Sequence, residues 1–471
     1  MMQLEGNHLS LVYKRTDSAE EGDFLQTPLC RDHVTSLSIE IRKNDHEEPE
    51  ASKVTWNTAL PCVYTAFPAL TSLSLTCFFD HTGKHALTIS ELADMFQHCP
   101  NLTKLHLHGV GLSMEPDHGS RKETRPFEKL KKAAEHHCTI VAIDLDEIYF
   151  VQQNRADSWL FYSQLVQAVS ASPNLSSLSI SSTTAYFSRP ILTLSALLSM
   201  LSHDRLQRLS AHHFNLWGAG SALYCAEAIR RNTSLKDLAL TACVFAAAEH
   251  HRMGDDEKDT SSLLSGLDSN RSIERLDLTA SMLPLEVSGL SAAFLKNESL
   301  KFLILAKTRM AFDPILHGAR LCRMLKSISG HPCIRELNLV DTVDTQFLIH
   351  NGDENVCDSS MEGLRVFFHA VRDLVSENLS VAKVSFDPVV VEYLLESKAC
   401  TTCAAAICQI GISTGLNRAQ YWDLAPETSS LQQWVDALAR ISDGNDESSE
   451  DVLTSTIYQI VSSNPLVCSV K

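Results

Sequence analysis

The sequence predicts an α/β solenoid of about 10–12 repeats, with parallel strands on a concave face and helices on a convex face, curved like a horseshoe. First, the phrase Asn-x-Ser-apolar-x-x-Leu-x-Leu occurs three times, at residues 232–240, 270–278 and 297–305. Second, the shorter pattern apolar-x-x-apolar-x-apolar recurs through most of the chain. Third, segments with helical apolar spacing separate the copies. A strand and a helix alternating at a fixed period are typical of a repeat protein.

The strands are predicted at about a dozen apolar triplets, separated by roughly 26 to 47 residues. The shortest separations fit one strand, a turn, a short helix and a return turn. The longer ones carry polar insertions at residues 42–53, 113–126, 249–260 and 342–360, which we interpret as surface loops. The central residues of the triplets are Leu37, Leu73, Leu105, Ile143, Leu178, Leu209, Leu238, Leu276, Leu303, Leu337, Val384 and, more weakly, Ile410.

Helices are predicted between the strands, where apolar residues recur at spacings of three and four. Each helix is followed by a breaker directly before the next strand. Strands that alternate with helices in this way form a parallel sheet with right-handed crossovers. The clearest helical segments are residues 87–98, 158–171, 222–231, 285–296 and 319–328, followed by Pro100, Pro173, Asn232, Asn297 and Pro332.

Three parts of the chain follow from this pattern. We predict an N-terminal cap at residues 1–33, a solenoid at residues 34–387, and a degenerate last repeat with a helical cap at residues 388–471. In the last part, helices are predicted at residues 430–441 and 452–461, on either side of an acidic segment at residues 443–451. A terminal repeat that is polar outside is what the open end of a solenoid requires.

With the further phrases at residues 99–107, 172–180 and 331–339, the chain resembles the leucine-rich repeat family, in its ribonuclease-inhibitor-like branch. In that family an Asn or Cys follows the strand, and here Cys243 occupies the position. Other repeats carry Val110, Thr183, Ser281, Thr308 or Thr342 there, so the polar ladder at this turn is degenerate.

Composition narrows the class of partner. The 57 acidic and 40 basic residues give a net charge of −17, which disfavours nucleic acid and anionic membranes. No segment reads as a signal peptide or a membrane span. Fourteen cysteines scattered through apolar segments indicate reduced thiols in the cytoplasm, with the nucleus as the alternative. We expect a monomer that binds another protein.

Residues between the core leucines of a strand face the concave surface, and equivalent positions of neighbouring strands form columns. Among them, His106 and His108 fall beside Asp144 and Asp146. They predict either a zinc site or histidine pKa values raised by the acidic neighbours, and the alternative is a solvated, mixed-charge patch of a binding surface. The predicted partner contacts are Lys104, His106, His108, Asp144, Asp146, Arg208, His212, Asp237, Arg275, Asp277, Phe302 and Glu336.

Other histidines and cysteines are assigned no chemistry. Cys400, Cys403 and Cys408 have half the spacing of a zinc site, so we interpret them as idle or buried thiols. The groups His136, His137 and Cys138, and His250 and His251, are expected at helix ends or in loops, where solvated histidine is the favoured interpretation.

The function that these observations favour is a non-catalytic scaffold that holds a protein partner on its concave face and insertion loops. No nucleotide-binding, hydrolase or zinc-protease motif is present, so no enzyme activity, cofactor or metal is predicted. The resemblance also implies two alternatives: a GTPase-activating protein of the Ran-activator type, or a substrate-recognition subunit of a ubiquitin ligase.

Overall fold

A computed structural model describes the strands and most of the helices of the repeats, in two compact units, Met1–Ser221 and Ala222–Lys471. The described residues are 2–5, 8–14, 34–42, 60, 63, 66–77, 86–114, 125–151, 158–182, 191–217, 222–245, 261–283, 293–294, 296–307, 309–310, 322, 324–340, 358–396 and 401–422. Several sequence-based predictions lie outside them: most of the four insertions, Thr183, Thr308, Thr342, His250, His251, Cys400, and the helices and acidic segment at residues 430–461.

The first unit consists of strands and helices in alternation after an N-terminal hairpin. Its strands are β1 Met2–Glu5, β2 His8–Lys14, β3 Ser36–Arg42, β4 Ser72–Cys77, β5 Leu87–Thr88, β6 Lys104–His108, β7 Gly111–Ser113, β8 Ala142–Phe150, β9 Ser177–Ser182, β10 Ile191–Thr193, β11 Arg208–His212 and β12 Asn215–Trp217. Its helices are α1 Ile89–His98, α2 Arg125–His136, α3 Ser158–Val169 and α4 Leu194–Leu201.

The main sheet of this unit has the order β1-β2-β3-β4-β6-β8-β9-β11. β1 pairs antiparallel with β2, and every later pair is parallel. The pairing is in register, so Leu37, Leu73 and Leu105 lie side by side. The short strands β5 and β7 pair with each other, and β7 also pairs with the end of β8. Strands β10 and β12 form a separate parallel ladder.

The second unit repeats this arrangement with shorter strands. Its strands are β13 Asp237–Thr241, β14 Arg275–Asp277, β15 Met282–Leu283, β16 Phe302–Ile304, β17 Arg309–Met310, β18 Glu336–Asn338 and β19 Lys383–Ser385. Its helices are α5 Ala222–Arg231, a 3₁₀ helix at Ser261–Asp268, α6 Asp358–Glu377, α7 Pro388–Glu396 and α8 Thr401–Trp422. The main strands pair in parallel in the order β13-β14-β16-β18-β19, and Leu238, Leu276, Leu303, Leu337 and Val384 are aligned.

Each unit is therefore a stack of leucine-rich-repeat-like strand–helix repeats, which confirms the predicted α/β repeat fold. Eleven predicted strand centres, from Leu37 to Val384, lie within observed strands, each as the second residue of its strand. The twelfth prediction, Ile410, was wrong because this residue lies in helix α8. Ile407 and Ile410 have the first spacing of the strand pattern, but a spacing of three also places two residues on one helix face.

An additional parallel strand that the pattern did not predict is β2, in which Leu9 and Leu11 are buried and pair with Leu37 and Ile39 of β3. Its triplet has Gly6 where the other strands have an apolar residue, so the search pattern missed it. The repeat stack of the first unit therefore begins at His8, and β1 covers the outer edge of β2 by antiparallel pairing.

The repeated Asn-x-Ser phrase has a structural cause at the turn into each strand. Asn270, which is fully buried, accepts backbone N–H bonds from Ser272 and Ile273 at Oδ1, at 2.9 and 2.7 Å. Its Nδ2 donates to the carbonyl oxygens of Ile229 and Asn232, at 2.6 and 2.9 Å. Asparagine satisfies both kinds of backbone group at a turn that has no strand partner for them.

The residues at this position, six before the strand centre, form a column in each unit. We call this column the turn spine. In the second unit it contains Asn232, Asn270, Asn297, His331 and Asn378, and Asn417 of α8 continues it by donating to the Asn378 carbonyl at 3.4 Å. In the first unit it contains Cys99, His137, Ser172 and His203, linked through their carbonyl oxygens.

His137 was predicted to be solvated, and this was wrong. The side chain is 4% exposed, with Nε2 at 2.9 Å from the Cys99 carbonyl and Nδ1 accepting from the Ile140 N–H at 3.3 Å. The imidazole therefore bridges two repeats as asparagine does elsewhere. Its neighbour His136 is exposed, as predicted, and Cys138 is exposed as well.

A second regular feature is a left-handed residue four positions after the strand centre. Positive φ angles occur at Gly109, Glu147, His213, Ala242, Ala280 and Lys307. Only Gly109 is the residue type that favours this conformation. A Cβ atom at Gly109 would lie 2.1 Å from the carbonyl oxygen of Cys77, so this turn requires glycine for space as well as for conformation.

Candidate functional site: the strand face

The outward side of the main strands, here called the strand face, presents the predicted contact residues. In β6 the buried Leu105 and Leu107 alternate with Lys104, His106 and His108, which are exposed or half-buried. The same alternation holds in β11 and β13. Since parallel neighbours pair in register, the outward residues form columns about 4.8 Å apart.

Two histidine–aspartate pairs join neighbouring strands of the first unit. His106 Nδ1 lies 2.9 Å from Asp144 Oδ2, and His108 Nδ1 lies 2.7 Å from Asp146 Oδ2. The imidazole rings are stacked, with centroids 6.2 Å apart and planes 7° from parallel. All four side chains are about 40% exposed, so these pairs remain accessible to a partner.

A β-bulge in β8 organises the second pair. The register of β8 against β9 shifts between Leu145 and Ile148, and Glu147 within the bulge has a φ of 49°. The buried Ser181 hydroxyl donates to Asp146 Oδ1 at 2.6 Å and accepts from the Glu147 N–H at 2.6 Å. A bulge re-aims side chains, and here it allows one serine to fix both the Asp146 carboxylate and the distorted backbone.

The hydrogen bond that the His106 ring donates to Asp144 raises the pKa of His106, against the effect of partial burial, and the charges of Asp144 and Asp146 contribute further. Burial alone would raise the pKa of Asp146, but the hydrogen bonds from Ser181 and His108 lower it. The cluster therefore favours an ionised carboxylate at Asp146 and an easily protonated imidazole at His106.

The zinc interpretation finds no support in this geometry. The Nδ1 atom of each histidine faces a single carboxylate. No group of three or more His, Cys, Asp or Glu residues in the described ranges could hold a metal ion. A structural zinc site needs four ligands. The arrangement is that of two parallel, hydrogen-bonded histidine–aspartate pairs.

The remaining predicted contacts of the first unit flank these pairs. Lys104 is aligned with Ser72 and Ala142, and Arg208 with Ser177. His212 is aligned with Ser181 and packs edge-on against His213, with ring centroids 4.1 Å apart. The first unit thus brings together Lys104, His106, His108, Asp144, Asp146, Arg208 and His212.

The second unit holds the other five contacts on β13, β14, β16 and β18. Arg275 lies 3.7 Å from Asp237 and 3.9 Å from Asp277. Phe302 is aligned with Arg275 on one side and with Glu336 on the other. Asp277 Oδ1 accepts from both the backbone N–H and the hydroxyl of Thr279, at 2.9 and 2.6 Å, so this carboxylate also shapes the end of its strand.

Some strand-face residues outside the predicted contacts lie against a predicted contact. Ser181 binds Asp146, and Lys383 lies 3.8 Å from Glu336. Counting from the strand centres places Lys383 beside Glu336, so the sequence contains that signal. The contact of Ser181 with Asp146 depends on the bulge, which the strand pattern does not predict.

The cysteines agree with the interpretation as idle thiols where they are described. Cys403 and Cys408 are buried in α8, and none of the nine cysteines of the described ranges forms a disulfide. Burial raises the pKa of the Cys99 thiol to about 11 and that of Cys225 to about 12, which keeps both protonated and unreactive.

Comparison with known proteins adds little to this geometry. No protein-family model matches the sequence, and no curated protein matches it. Similar solved structures include the actin-binding site 2 of leiomodin-1, at 12% identity and a TM-score of 0.24, covering 52% of this chain and 95% of that chain. Another is a tropomodulin C-terminal domain from Caenorhabditis elegans, at 12% identity and a TM-score of 0.25, covering 49% and 95%. Similarity at this level assigns no partner.

Within the described ranges, none of the helices combines the length and the apolarity that crossing a membrane would require.

Proposed function

We propose that this protein is a non-catalytic scaffold that binds another protein through its strand face. The observation that carries the proposal is the set of register-aligned columns of half-exposed polar and charged side chains, exemplified by His106–Asp144 and His108–Asp146. The buried leucines between them hold the fold, so the outward positions are free to vary without loss of the core. Such a surface suits recognition by charge and shape.

The size of the strand face fits this role together with the insertions. The seven parallel strands of the first unit extend about 29 Å along the stack at about 4.8 Å per strand, and a five-residue strand extends about 17 Å. The product, about 500 Å², is less than the roughly 800 Å² that each partner contributes to a standard interface. We infer that insertions of the same unit, such as residues 42–53 and 113–126, supply the rest.

The finer assignments belong to the same proposal. The repeat phrases and their lengths support the ribonuclease-inhibitor-like branch of leucine-rich repeats. Free, buried thiols in the described ranges support a reducing compartment, the cytoplasm or the nucleus. The net charge of −17 supports a protein partner over nucleic acid or membrane. We propose that the protein acts as a monomer without a cofactor.

The test is partner capture with the full chain as bait and two variants of equal net charge. The first carries Lys104→Glu, Asp144→Lys, Arg208→Glu and Arg275→Glu on the strand face. The control carries Lys131→Glu, Glu135→Lys, Arg231→Glu and Lys326→Glu, all at exposed positions in helices. We expect a specific partner to be lost with the first variant and retained with the control, both folded by circular dichroism.

Equal capture by both variants would place the interface elsewhere. Turnover of a small molecule by the pure protein, without any stable partner, would overturn the proposal altogether.

A further inference from the structure

One rung of the strand face is apolar at both outward positions. Phe302 and Ile304 of β16 are half-buried, whereas the residue between them, Leu303, is fully buried. In every other main strand of the described ranges, at least one of the two equivalent positions is polar or charged. The core of this repeat is formed by Leu300, Leu303 and Leu305, so Phe302 and Ile304 lie outside it.

Charges of opposite sign flank this rung. Arg275 of β14 is aligned with Phe302 on one side, and Glu336 of β18 is aligned with it on the other. Arg275 is 44% exposed and Glu336 is 41% exposed. A large, half-buried aromatic side chain between charged neighbours is the usual composition of a binding hot spot with its polar rim.

The charged groups are held loosely and can accept a ligand. Arg275 approaches Asp237 and Asp277 no closer than 3.7 Å, and Glu336 is 3.8 Å from Lys383. These separations exceed a hydrogen-bond length. The guanidinium and the carboxylate therefore keep hydrogen-bonding capacity for an incoming group of opposite charge.

We infer that the rung at Phe302 and Ile304, together with Arg275 and Glu336 on either side of it, binds an extended protein segment. This segment carries an acidic, a large apolar and a basic side chain in succession. The apolar side chain lies on Phe302 and Ile304, the acidic one reaches Arg275, and the basic one reaches Glu336. Arg275 and Glu336 are two strand spacings apart, about 10 Å. Two to four residues of extended peptide cover that distance. This inference rests on the proposed function and specifies the chemistry of its partner.

The experiment uses the full chain and synthetic 12-residue peptides of three kinds. Each has a central Leu or Phe, flanked by Asp and Lys, by Asp on both sides, or by Lys on both sides. We expect the Asp–apolar–Lys peptides to bind the wild-type chain at least tenfold more tightly than the other two kinds. Phe302→Ser and Ile304→Ser are each expected to reduce that affinity at least tenfold. Val141→Ser, which removes an apolar side chain that is 41% exposed, serves as the matched control and is expected to leave it unchanged.

Charge reversal makes the inference specific. Glu336→Arg places a base on each side of the rung and is expected to shift the preference to peptides with Asp on both sides. Arg275→Glu is expected to shift it to peptides with Lys on both sides. Because both residues are exposed, neither change should unfold the protein.

Equal binding of the three peptide kinds would overturn the inference, as would an unaltered preference in the reversal variants. Self-association of the wild-type chain that Phe302→Ser abolishes, measured by analytical ultracentrifugation, would also overturn it, since a second copy would then occupy the rung. If peptides fail in this way while strand-face reversals still release a captured partner, the scaffold function stands and only this inference falls.

Discussion

His106 and Asp144 face each other across two neighbouring parallel strands, with His106 Nδ1 and Asp144 Oδ2 2.9 Å apart. The two residues are 38 positions apart in the chain, and the register of β6 against β8 brings them together. The two atoms are within hydrogen-bond distance, and the protonation of His106 can be followed directly.

Asp144→Asn is expected to lower the pKa of His106 towards its ordinary value, because the hydrogen bond to the Asp144 carboxylate is the main cause of the upward shift. An NMR titration of the histidine ring protons measures this change. A raised folded-state pKa gives stability that is present at low pH and lost as pH rises through that pKa. The 40% exposure of His106 keeps this contribution small. Asp237→Asn, on the other unit, is the control, and an unchanged His106 titration in Asp144→Asn would contradict the assignment.

Asn270→Ala is expected to destabilise the second unit by about 4 kcal/mol or more, since four buried backbone groups lose their partner at about 1–3 kcal/mol each. Asn270 is fully buried and satisfies four backbone groups of three repeats. Urea denaturation measures the free energy of unfolding. Asn101→Ala removes an exposed asparagine with one bond to the Pro68 carbonyl, and its cost should stay below about 1 kcal/mol. Equal costs for the two variants would show that the turn spine does not support the fold.

His331 is expected to make the second unit sensitive to acid. Its Nδ1 accepts the backbone N–H groups of Cys333 and Ile334, and its buried Nε2 has no hydrogen-bond partner. Burial lowers the pKa of His331 from 6.5 to about 4. Above pH 6.5 the imidazole is neutral in both states. Between pH 6.5 and 4 only the unfolded chain takes up the proton, so stability falls with pH, by about 3 kcal/mol in total.

The variant His331→Asn tests that sensitivity, because asparagine occupies the same position of the turn spine in Asn297 and Asn378. Stability at pH 7 should be retained, and the loss between pH 7 and pH 4.5 should shrink by about 2 to 3 kcal/mol. Urea midpoints at the two pH values provide the measurement. His136→Asn, at an exposed histidine, should leave the pH dependence as it is. If His331→Asn loses as much stability in acid as the wild type, another group is responsible.

Ala280→Gly is expected to stabilise the second unit slightly. Ala280 has a φ of 56°, and a left-handed conformation costs a residue with a Cβ about 1–2 kcal/mol. The greater freedom of glycine in the unfolded chain offsets about 0.5–1 kcal/mol of that, so we expect a net gain of about 0.5 kcal/mol. Ala226→Gly, in helix α5, should instead cost about 1 kcal/mol or more. Thermal unfolding of both variants distinguishes the signs, and a loss of stability in Ala280→Gly would show that the turn is not strained.

The candidate surface was predictable from the sequence to the extent that strand registers are regular. Once Leu105 and Ile143 are aligned as strand centres, His106 must lie beside Asp144. In the same way, aligning Leu276, Leu303 and Leu337 places Phe302 between Arg275 and Glu336. The local apolar pattern gave a wrong prediction for Ile410 in α8, because the same spacing fits a strand and a helix. It missed β2, because the apolar residue expected three positions before Leu9 is absent. It also failed for His137, because a polar side chain at a turn gives no local sign that a neighbouring repeat will bury it.

The sequence alone determined the repeat, the alternation of strand and helix, and the identity of the outward residues, because side chains alternate along a strand and leucines are driven into the core. Only the tertiary structure decided which polar groups bind each other. Hydrogen bonds between residues 27 to 50 positions apart in the chain link the Asn-x-Ser turns and the buried histidines of neighbouring repeats into the turn spine. The β8 bulge placed Ser181 on Asp146. These contacts depend on the register and distortion of paired backbones, which are properties of two strands together and not of either sequence segment.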